Sequence, residues 1–119
     1  MEPGAMYDVV LSDPRLQQYA PSERRAILVH KYLLGTRLGF DPGLGRAIED
    51  WEEHHARDWR ERKMRSDVEE QLREIERHKY HLSEEAGYDV GWEFAIHDWM
   101  QKHADSWREH WEQHSASGA

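Results

Sequence analysis

The sequence predicts an all-α protein: two tandem copies of a helix-turn-helix pair, packed as a pseudo-two-fold four-helix arrangement behind an irregular N-terminal arm. Three observations lead there. Residues 30–63 align with 78–111 at a constant offset of 48, without a gap, with 16 identities in 34 positions. Self-similarity of that length reads as a tandem duplication. Apolar residues recur at steps of three and four, which is the period of one helix face. A glycine, an aromatic and an aspartate stand at the same place in both copies, as Gly39-Phe40-Asp41 and Gly87-Tyr88-Asp89.

The elements follow in order. Residues 1–20 form the arm: segment 6–11 (MYDVVL) is apolar but has no partner strand, so it reads as extended. Ser12-Asp13-Pro14 caps one short helical turn ending near Tyr19. The first repeat covers 21–63. Pro21 and Ser22 open a helix whose stripe is Ile27, His30, Leu34 and Leu38. Gly39 suits the left-handed position that ends a helix. Asp41-Pro42 then restarts the chain as a cap plus first-turn proline. The next helix presents Leu44, Ala47, Ile48, Trp51, His55 and Trp59. The basic segment 59–67 joins the copies as a solvated helix end.

The second repeat covers 64–114. Ser66-Asp67-Val68-Glu69 reads as a capping box, in which serine and glutamate satisfy each other's backbone N–H groups. Val68, Leu72, Ile75, His78, Leu82 and Ala86 continue as a stripe. Gly87 ends it, with Tyr88 making the accompanying hydrophobic contact, and Asp89 caps the final helix. That helix carries Trp92, Ala95, Ile96, Trp99, His103, Trp107 and Trp111 on one side. Residues 115–119 read as a disordered tail, and the whole as one domain.

Composition narrows the function classes. Hydrophobic residues make up 38% of the chain and charged ones 34%, yet six Trp, five Tyr and two Phe provide anchors for a small core. The absence of Cys excludes disulfides and thiolate metal sites. No apolar run reaches membrane-span length and no signal peptide stands out, so a cytoplasmic location is expected. The formal charge of −8 argues against a nucleic-acid partner. Residues 30–63 balance to zero, whereas 78–119 carry three basic and eight acidic groups. No nucleophile elbow, phosphate loop or dinucleotide fingerprint is present, so no enzyme activity and no organic cofactor are expected.

Two features resist a purely structural account. His30 and His78 fall inside apolar stripes, and His55 and His103 each sit within W-x3-H-x3-W. Four histidines thus face inward as two symmetric pairs. Each is satisfied either by a hydrogen bond, with Asp50 or Asp98 as a carboxylate partner, or by a transition metal such as Zn or Fe, since imidazole is a common ligand on the facing helices of bundles. A four-histidine or mixed His/carboxylate site fits better than a di-iron one, because Glu52-x-x-His55 has no second copy: Met100 replaces Glu52. Glu93 stands one turn before His97, and His110-x3-His114 forms a further pair near the end. Separately, Trp92, Phe94, Met100 and Trp111 exceed what one stripe needs, and exposed aromatic patches mark interfaces. The leading expectation is therefore a small non-enzymatic interaction module, an accessory subunit or adaptor that docks on a larger protein or self-associates. The alternative is a His-rich metal- or cofactor-binding helical protein.

Overall fold

Glycine at positive φ punctuates the chain in pairs. Gly39 and Gly87 (φ 83° and 79°) end helices in the left-handed conformation, their N–H groups donating to Gly35 and Ser83 carbonyls at 2.9 Å. Four residues later, Gly43 and Gly91 open the following helices at φ 83°, ψ 158° and φ 84°, ψ 160°. That region of backbone space is essentially closed to residues with a Cβ.

The structure, a computed structural model of the chain, describes residues 10–117. Among these it is all-helical: a 3-10 turn Pro14–Leu16, then α1 (Pro21–Leu38), α2 (Leu44–His54), α3 (Ala56–Ala86), α4 (Trp92–Lys102) and α5 (Ala104–Ser117). Most of the apolar segment 6–11 lies outside the described residues; its last two, Val10 and Leu11, are helical. Of the tail, residues 115–117 belong to α5 and 118–119 lie outside the described residues.

Two compact units divide the described chain: residues 10–56 with 110–117, and residues 57–109. In the first, α1 packs on α2 around Ile27, Leu34, Leu44, Ala47 and Trp51, and Leu16 is fully buried. Asp13 caps the 3-10 turn by accepting from the Arg15 N–H, and Arg24 Nε donates to the Leu16 and Tyr19 carbonyls, tying the turn to α1. In the second unit, Ile75, Ala95, Trp99 and Ala104 form the core, with Leu82 and Trp107 packed against it.

Several expected details differ. The helix after each turn does not continue to Trp59 or Trp111 but breaks at a histidine: His55 and His103 (φ −129° in both) are non-helical caps, and a new helix begins at the next residue. The capping box at Ser66 does not start a helix, because α3 runs unbroken through it. No Gly or Pro occurs between Gly45 and Gly87, and the stretch is dominated by good helix formers. The ion pairs Lys63–Asp67, Arg73–Glu70 and Arg77–Glu74 add support at helical spacing. Val68 and Leu72 are exposed rather than part of the core stripe, as are Phe40 and Tyr88.

Asp41 and Asp89 do not cap the next helix; each accepts from the N–H of the glycine two residues on and pairs with Lys31 or Lys79 at 2.9 Å. Pro42 accordingly precedes α2 instead of occupying its first turn. At the start of α1, Pro21 and Ser22 open the helix as expected, and no side chain of the preceding residue, Ala20, caps it. The Ser22 N–H and hydroxyl both donate to Glu112, so a distant carboxylate satisfies a free amide of the first turn.

Candidate metal centre

The turn grammar brings one face of α1 against one face of α2, and of α3 against α4, at matching heights. His30 on α1 meets Asp50 on α2 with Nε2 donating to Oδ2 at 2.7 Å. His78 on α3 meets Asp98 on α4 in the same way and at the same distance. A histidine facing a carboxylate at that separation donates from the nitrogen that touches it.

The helix break supplies the third group. His55 Nε2 stands 3.7 Å from Asp50 Oδ2, and its ring centroid is 4.4 Å from that of His30. In the second unit, the His103 ring lies 4.8 Å from His78. Each set, His30/Asp50/His55 and His78/Asp98/His103, offers three ligand atoms within 4.8 Å of one another. Because His55 and His103 terminate their helices, they are not buried in the stripe. The His30 side chain is 11% exposed and that of His55 46%, so the triad is sealed on one side and open to solvent on the other.

Indole rings wall the sealed side. Trp51 lies 5.8 Å from His30 and 5.9 Å from His55; Trp99 lies 5.8 Å from His78 and 5.4 Å from His103. Both are buried. Burial alone would lift the Asp50 carboxyl, but the His30 hydrogen bond and the nearby His30 and His54 outweigh it and hold it below the usual carboxylate range. Lys102 first, then His78, does the same for Asp98. Each triad therefore combines an ionised carboxylate with two imidazoles, a donor set suited to a divalent first-row transition metal.

Within each unit the structure brings together His30 with His55 and His78 with His103, rather than the symmetric pairs across the copies, and Asp50 and Asp98 complete the sets. Glu52 does not: it accepts from the Tyr19 hydroxyl at 2.7 Å. His54, absent from the sequence expectations, sits with Nδ1 3.1 Å from Asp50 Oδ1. Its signal was the Asp50-x3-His54 spacing, one helical turn. Of the aromatic set, Trp92, Phe94 and Met100 are 46%, 56% and 50% exposed, while Trp111 is half-buried and stacks on His114. No helix among the described residues is long and apolar enough to cross a membrane. Comparison of the chain with protein-family models, with curated proteins and with solved structures found no match in any of the three.

Proposed function

We propose that this is a non-enzymatic helical protein that binds a divalent transition metal through His–Asp–His triads. The observation that carries the reading is the repetition. Two sets of identical residues, built by identical local backbone, converge on the same three-atom arrangement. A tandem duplication of one metal-binding hairpin accounts for both at once. The hydrogen bond from histidine to aspartate also ties neighbouring helices together, and a metal bound at Nε2 would take the place of that proton, leaving the imidazole protonated at Nδ1.

The test is elemental analysis and Zn(II) titration of protein prepared without an affinity tag. Stoichiometric metal that is lost in the double variant D50N/D98N, which keeps the shape and an acceptor at each site but not the charge, supports the reading. Protein that takes up no Zn, Fe, Co or Ni at micromolar concentrations would defeat it.

A second reading is supported by the apolar side chains that α4 exposes. Trp92, Ile96 and Met100 are exposed at helical spacing on one side and Phe94 on another, and the positions matching Phe94 and Met100 in the first copy are Arg46 and Glu52. Such surfaces suit self-association or docking on a larger protein. Light scattering on the wild type and on F94S/M100S distinguishes the cases: a wild type that stays monomeric at high concentration rules out self-association.

A further inference from the structure

Taking the metal reading as its basis, we infer that the two triads are unequal: the first is the metal site, and the second is held shut by Lys102. The two triads differ at matching positions of the constant offset. Asp50 has its second oxygen, Oδ1, against His54 Nδ1 at 3.1 Å. The matching residue of the second copy is Lys102, whose Nζ lies 2.6 Å from Asp98 Oδ1. An imidazole beside a ligand carboxylate orients it, and can itself ligate. An ammonium neutralises the carboxylate and repels an arriving cation.

The surrounding charge points the same way. Residues 48–55 hold four carboxylates, Glu49, Asp50, Glu52 and Glu53; residues 96–103 hold Asp98 and the Lys102 ammonium. Behind the indole wall, Trp51 Nε1 donates at 3.0 Å to the buried carboxyl of Glu23. The residue 48 positions later is Gln71, an amide. Along the chain next to each aspartate, negative charge is thus denser at the first triad than at the second, although the second copy as a whole is the more acidic.

Zn(II) and Co(II) titrations of tag-free protein, carrying H110A/H114A to remove the exposed C-terminal pair, test this. The background protein should take up one tight equivalent, and Co(II) should show one set of d–d bands. H30Q should abolish that equivalent and H78Q leave it intact. K102H should create a second equivalent, raising the affinity of the second triad about 10- to 100-fold, and H54K should weaken the first by a similar factor. Circular dichroism checks that each variant stays folded, and the side chains of His54 and Lys102 are both more than half exposed. Two equal equivalents before mutation, or no gain in K102H, would overturn the inequivalence while leaving metal binding standing. No uptake by any variant would remove the metal reading itself.

Discussion

The His30 and His78 sites share backbone, hydrogen bond and indole wall, yet differ in what surrounds them. Around the first, polar contacts are numerous and largely acidic: Trp51 to Glu23, Tyr19 to Glu52, His54 to Asp50. Around the second, two buried donors, Trp99 Nε1 and Gln71 Nε2, have no hydrogen-bond partner among the described residues. The two sites keep the same local geometry while the charges and hydrogen bonds around them differ.

The largest expected effect probes the shared wall. Trp51→Ala and Trp99→Ala should each destabilise by about 3–5 kcal/mol, read by urea denaturation, because both rings fill buried space. Replacement by Phe separates them. W51F loses the hydrogen bond to Glu23, costing about 1 kcal/mol, whereas W99F loses none. Equal costs for the two Phe variants would break the comparison.

Next come the glycines that start α2 and α4. Gly43→Ala and Gly91→Ala should cost about 1–3 kcal/mol each, and equally, since both hold the same conformation. A large inequality would mean that the turns are not equivalent.

A contact particular to the first unit follows. Glu112→Ala removes the acceptor for the Ser22 amide and hydroxyl, and should cost about 1–3 kcal/mol. Amide exchange should accelerate at the first turn of α1 and stay unchanged at Ala95 and Trp99.

The smallest effect is acid sensitivity. Asp50 and Asp98 have carboxyls held below their usual range in the folded state. The stability they contribute is therefore complete above the ordinary carboxylate value of about 4 and lost as pH falls through the lowered folded values. D50N and D98N should each flatten the dependence of stability on pH below about 4.

The helices, the glycine turns and the inward position of His30 and His78 were legible because they follow local rules that the chain states twice. The breaks at His55 and His103 were not. No Gly or Pro marks them, and periodicity alone carries a stripe straight through to Trp59 and Trp107. The capping box at Ser66 misled for the opposite reason: a start signal has no effect when the preceding ten residues already form helix. The partnership of each histidine with an aspartate was among the options in the sequence. The preference for Asp50 over Glu52 was not, because Tyr19, 33 residues away, engages Glu52.

The bond from Ser22 to Glu112 also bears on the order of assembly. It joins positions 90 apart, whereas each His–Asp bond joins positions 20 apart. Loop closure at the longer separation costs about 1.3 kcal/mol more, a modest thermodynamic difference. The timing difference is larger. Residues 57–109 are contiguous and complete once residue 109 has left the ribosome, while the earlier unit still lacks residues 110–117 at that point. The unit begun first is therefore the unit completed second, with the amide of Ser22 waiting for Glu112.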